Sequence, residues 1–195
     1  MIPHSAVSLA GAALLFFVTS TSLASQTPGR IELRGAIGVG VPLTPSDFRS
    51  GWTTGFGAAI DAGYYVSHTT SVGVRMEYQH FGRLPVLFSG SSAQFRASSS
   101  SRDLWAAWLD AAHTVPLDPA IRGRVHGGLG VADFGAAVRS LAFEVGAGFD
   151  VPLSPHFGAV MDITFAHTLA DDVSGDYVLA SPYSYLPLRV GLSWR

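Results

Sequence analysis

From about residue 30 onward the chain alternates apolar side chains with polar or very small ones at a period of two. That is the repeat of a β-strand whose two faces meet different surroundings. The pattern is clearest over 185–195. One face there carries Leu186, Leu188, Val190, Leu192 and Trp194, and the other carries Tyr185, Pro187, Arg189, Gly191, Ser193 and Arg195. Over 141–151 the apolar face is Leu141, Phe143, Val145, Ala147, Phe149 and Val151, set against Ala142, Glu144, Gly146, Gly148 and Asp150. The same reading predicts eight strands, at about 30–42, 54–66, 70–82, 102–115, 121–132, 140–152, 157–169 and 184–195.

The connections alternate in length. Ser67-His68-Thr69, Pro116-Leu117-Asp118-Pro119 and Leu153-Ser154-Pro155-His156 are tight, and in the last two a proline stops the strand and presets the turn. The segments near 43–53, 83–101, 133–139 and 170–183 are mostly longer and richer in Ser, Gly and Asp. Most of the predicted strands run to about a dozen residues, beyond the usual 5–6 of soluble sheets and enough for a tilted membrane strand of about 9–11. The expected fold is therefore all-β: an eight-stranded antiparallel up-and-down transmembrane β-barrel with three short periplasmic turns, four external loops and both ends of the barrel domain on the turn side.

The ionisable residues test this assignment. With the apolar faces turned to lipid, the inward set is Glu32, Arg34, Asp61, Arg75, Glu77, Asp110, Arg122, Arg124, Glu144, Asp150, Asp162, Arg189 and Arg195, and no charge is left in the middle of a lipid-facing row. Arg there would cost roughly 2–4 kcal/mol. The interior of so small a barrel is filled by side chains, so these nearly balanced charges are expected to meet in pairs. Gly38, Gly57, Gly73, Gly128, Gly146, Gly148, Gly158 and Gly191 share the inward face and are expected to leave room for the arginines. His126, beside Arg122 and Arg124, is expected to join the network as a neutral group. Aromatics fall near the strand ends, as interfacial girdles require: Tyr64, Phe149, Phe157 and Trp194 toward the turns, and Phe56, Tyr78, Trp105, Phe143, Phe165 and Tyr183 toward the loops. Trp108 is assigned inward.

Composition sharpens the picture only in places. Charged residues make up 13 % of the chain, about half the share of a typical soluble domain. The net charge of −2 gives nucleic acid no electrostatic hold, and without cysteine there is no disulfide framework or thiolate metal site. Ala6 to Val18 forms an apolar run too short to span a bilayer, and Ser22-Leu23-Ala24 offers small residues to a signal peptidase. The expected division is a signal peptide over 1–24 and a barrel domain over 25–195.

On these residues the chain resembles the OmpA/OmpX-type family of small outer-membrane barrels. Arg189, Gly191 and Trp194 match the polar, glycine and aromatic positions of that class's C-terminal insertion signal, while its closing aromatic is absent. The resemblance implies a non-enzymatic structural, surface-interaction or adhesion role in the outer membrane. It also implies lipid and lipopolysaccharide as surroundings, barrel-assembly machinery as the partner during insertion, and no cofactor. External loops are the expected carriers of specificity, with the Ser-rich 89–101 segment, including Arg96, and Asp171, Asp172 and Asp176 as candidates; these acids do not have EF-hand spacing.

Other function classes leave recognisable traces. A lipid A deacylase or acyltransferase needs a His able to activate a Ser or water at the outer-leaflet end. His167 and His80 lie there, but His167 is followed by Thr168-Leu169, not by the His-x-Ser-Asn pattern of the deacylase. A diffusion channel needs a lumen that eight strands do not leave. A soluble lipocalin-like carrier needs a wet exterior that the apolar rows do not supply. Gly127-Gly128-Leu129-Gly130 lacks the strand–turn–helix setting of a nucleotide loop.

Overall fold

A computed structural model of the chain describes residues 28–44, 52–82, 87–90, 93–96, 102–118, 120–133, 139–169 and 182–195. The strands are β1 (Ile31–Thr44), β2 (Gly55–Tyr65), β3 (Thr70–Phe81), β4 (Leu87–Gly90), β5 (Ala93–Arg96), β6 (Arg102–Asp118), β7 (Ile121–Asp133), β8 (Arg139–Pro152), β9 (Phe157–Thr168) and β10 (Ser184–Trp194). Eight of them close into one barrel in the order β1-β10-β9-β8-β7-β6-β3-β2, with every neighbouring pair antiparallel. Among the described residues the short β4 and β5 pair only with each other. This hairpin lies inside the 83–101 connection, which was expected to be a plain loop. Strands of four residues are too short to show a period of two.

The register fixes the shape. Following opposed residues from Glu32 through Gly63, Gly73, Asp110, Gly128, Glu144, Ala166 and Tyr185 returns to β1 at Pro42, a shear of ten residues. With eight strands about 4.8 Å apart and about 3.3 Å of rise per residue, that shear corresponds to a tilt of roughly 40° and a backbone radius of roughly 8 Å. The shortest barrel strands, β2 and β10, have 11 residues. At that tilt each spans about 28 Å, enough for an apolar band about 25 Å tall.

The predicted faces are kept on every barrel strand. Leu109, in the middle of β6, is 68 % exposed, and Ile37, Ile60, Met76, Leu129, Val145, Met161 and Val190 likewise project outward. Among the described residues, ionisable side chains on the outward rows occur only near the strand ends. No helix among them is long and apolar enough to cross a membrane. β6 runs on through Pro116 with a bulge before Asp118, so the tight turn is shorter than expected. The proposed export signal over 1–24 and Asp171, Asp172 and Asp176 lie outside the described residues, as does part of the 89–101 segment.

An arginine in place of Leu109 is expected to destabilise the barrel by about 2–4 kcal/mol, as measured by reversible denaturant unfolding in lipid vesicles. Leu109→Ala should cost clearly less.

Candidate functional site

Inside the barrel the side chains form three layers. The loop end is closed by an apolar and aromatic plug of Phe81, Leu104, Trp108, Tyr183 and Tyr185, with Ala106, Ala132, Ala142 and Ala166 as small spacers and Trp52 packed against it. Phe81 meets Tyr185 edge-on at 6.1 Å between centroids. Trp108 is inward as expected. Tyr183 is not: it was assigned to the loop-side girdle and is instead only 2 % exposed within the plug. The Tyr183 backbone N–H donates to Thr168 Oγ1 at 2.9 Å, and the Thr168 N–H donates to the Tyr183 carbonyl at 3.0 Å. These bonds extend the β9–β10 pairing by one residue and carry the ring inward with Tyr185.

Two arginines organise the middle layer. Arg189 donates from Nε to Asp162 and from one terminal nitrogen to Glu77, each at 3.0 Å, and its other terminal nitrogen reaches Thr164 at 2.7 Å. Arg75 is paired with Glu144 and lies 3.8 Å from both Asp61 and Asp110. His126 sits 3.2 Å from Thr164 and 3.8 Å from Asp162, which joins it to the Arg189 group. Gln79 donates to Glu77 at 3.0 Å.

The turn end repeats the arrangement around Glu32. Its carboxylate accepts from Arg34, from Tyr65 at 2.6 Å and from Arg195 at 3.2 Å. Asp150 pairs with Arg195 and lies 3.7 Å from Arg34. Arg122 stands opposite Asp150 in the β7–β8 register. Arg124 borders a small cavity with Arg34, Glu32, Asp61 and Asp110; its volume of about 10 Å³ is room for about one water molecule.

The bridges join more than adjacent strands. Arg189 to Glu77 links β10 with β3, and Arg75 to Glu144 links β3 with β8, each pair three strands apart round the barrel. At three of the inward glycines the nearest groups are not the expected arginine side chains. A Cβ at Gly57 would strike Gln79, one at Gly146 would strike His126, and one at Gly38 would strike the β10 backbone. They make room for polar side chains and close strands, and none of these three contacts involves an arginine side chain.

The outward surface at the loop end carries a second set of contacts. Asp103 and His80 are opposed in the β3–β6 register, and Asp103 Oδ1 accepts from His80 Nδ1 at 2.7 Å and from the Tyr78 hydroxyl at 2.8 Å. Phe56 lies beside His80 at 5.0 Å, and Trp105 lies beside Tyr78 at 4.8 Å. Farther round, His167 Nδ1 and Ser184 Oγ are 2.7 Å apart, and Thr44 Oγ1 is 2.8 Å from the same hydroxyl. The rings of Phe143 and Phe165 flank His167. Sequence reasoning placed both histidines here but missed Asp103, Ser184 and Thr44. Their signal was available only through register, since each partner comes from another strand.

A closed barrel with a charged interior and an apolar exterior has a counterpart among known families. The family described as outer membrane protein beta-barrel domain matches residues 10–195. The chain belongs to that family. Neisserial surface protein A has a similar structure, at 13 % identity and a TM-score of 0.58, covering 84 % of this chain and 96 % of its own. OprG from Pseudomonas aeruginosa is similar at 11 % identity and a TM-score of 0.53, covering 89 % and 98 %. At such identities the likeness shows the fold alone. No curated protein matches the chain in sequence. The protein is thus an integral outer-membrane barrel.

Replacing Arg189 with Met leaves buried Glu77 and half-buried Asp162 without their main cation. The expected loss is about 3–5 kcal/mol of unfolding free energy in vesicles. Adding Glu77→Gln to that variant should restore part of it.

Proposed function

We propose that this protein is a non-enzymatic outer-membrane barrel with a structural or surface-contact role, its interior fixed and its external loops carrying any specificity. The observation that supports this reading most is the filled interior. The plug at the loop end and the arginine–carboxylate layers beneath it are held by contacts that cross the barrel. A rigid scaffold of this kind presents loops; it does not conduct. Delivery would follow from a signal peptide over 1–24 and from recognition of Arg189, Gly191 and Trp194 by barrel-assembly machinery. Lipid and lipopolysaccharide would form the surroundings of the apolar belt.

One contact favours a second reading, an enzyme acting on lipid A, because a His and a Ser meet at hydrogen-bond distance near the outer leaflet. Three features weigh against it. Ser184 is only 3 % exposed, its hydroxyl is also held by Thr44, and among the described residues no carboxylate orients the other nitrogen of His167. A nucleophile must be reachable and its base aligned. The pair fits an amphipathic rim contact better.

Two measurements check the proposal. Lipid A acyl composition, by mass spectrometry of cells expressing the protein or its Ser184→Ala variant, should be identical to that of cells without it. Planar-bilayer recordings of the purified barrel should show no stable conductance. An altered acyl pattern abolished by Ser184→Ala would replace this reading with the enzymatic one.

A further inference from the structure

The rim on β3 and β6 has the makings of a binding site. Both hydrogen bonds given to Asp103 fall on Oδ1, and among the described residues Oδ2 accepts none. The Asp103 side chain is 55 % exposed, and two donors fix its plane. Trp105 and Phe56, both largely exposed, flank the polar group on either side. The result is one oriented carboxylate acceptor set between aromatic rings on the outside of the barrel.

The chemistry of those groups selects a ligand. A carboxylate oxygen held in a fixed plane accepts hydrogen bonds from hydroxyls, and it disfavours phosphate, which brings negative charge of its own. An exposed indole offers a flat face to the apolar C–H side of a sugar ring. Directly below on the same two strands, the outward rows continue as Met76 and Val74 on β3 and as Ala107 and Leu109 on β6. A molecule seated with hydroxyls at Asp103 therefore has its remaining length along an apolar, membrane-facing surface.

We infer that Asp103, His80, Tyr78, Phe56 and Trp105 form a site for the sugar headgroup of a glycolipid in the outer leaflet, with its acyl chains lying along β3 and β6. This rests on the proposed lipid surroundings and names the place on the barrel where one lipid class is preferred. Tyr78 and His80 are positioning residues, since they act by orienting the carboxylate. Asp103 and Trp105 touch the ligand.

Native mass spectrometry of the intact barrel, released from detergent micelles doped with equal amounts of hexosyl diacylglycerol and phosphatidylglycerol, tests the inference. The protein should retain the glycolipid in preference by about tenfold, and Asp103→Ala and Trp105→Ala should each remove most of that preference. Ser184→Ala, on the far side of the barrel on β10, should leave it in place. Heat-shifted mobility in SDS gels certifies that each variant is folded. Equal retention of the two lipids by the unaltered protein, or an unchanged preference in both rim variants, overturns the inference. So does displacement of the glycolipid by the free hexose alone, which would make the site one for soluble saccharide. None of these outcomes touches the non-enzymatic reading, which stands or falls on lipid A composition.

Discussion

Closing eight tilted strands into a tube of roughly 8 Å backbone radius forces every inward side chain to touch others. Water cannot fill so narrow a space as a solvent, so each charge on the concave face must be neutralised by another side chain. Arg75, Arg189 and Arg195 meet that constraint by reaching carboxylates on strands other than their immediate neighbours. Everything else follows from it. The glycines opposite Gln79 and His126 exist because a second bulky group at that height has no room. The alternation is strict because a one-residue slip would carry the whole lattice into lipid.

Lipid sets the complementary condition outside. Backbone polar groups in a bilayer must all be paired, and a closed sheet does this without an edge. The apolar rows need no specific partner, which is why Leu109 or Val190 can stand bare. Polar chemistry returns only at the rims. There His80 is held by Asp103 and His167 by Ser184 in cross-strand pairs. Such side chains have an apolar body and a polar tip, and suit the level at which acyl chains give way to headgroups.

Much of this was legible in the sequence because the period of two is a direct image of the two environments. The rows containing Leu186 to Trp194 and Glu144 to Asp150 could be assigned to lipid and interior before any geometry was known. Strand pairs were less legible in their consequences. That Arg189 would meet Glu77 depends on the shear of the whole barrel, which no local pattern encodes. Tyr183 looked like a girdle aromatic because it follows a loop, and only the extension of β9–β10 pairing turns it inward. The β4–β5 hairpin was invisible for a simpler reason, since four residues cannot establish a period. The rim contacts at Asp103 and Ser184 likewise depend on register between segments far apart in the chain.

Closure is the central property: one continuous barrel whose interior lattice holds it shut. Its most direct test is the electrophoretic mobility of the outer-membrane fraction in mild SDS, unheated against boiled. A species that sediments with outer membranes and changes mobility on boiling is the predicted result, because the closed barrel resists the detergent until heat opens the lattice. A soluble species, or one with the same mobility before and after boiling, would contradict it.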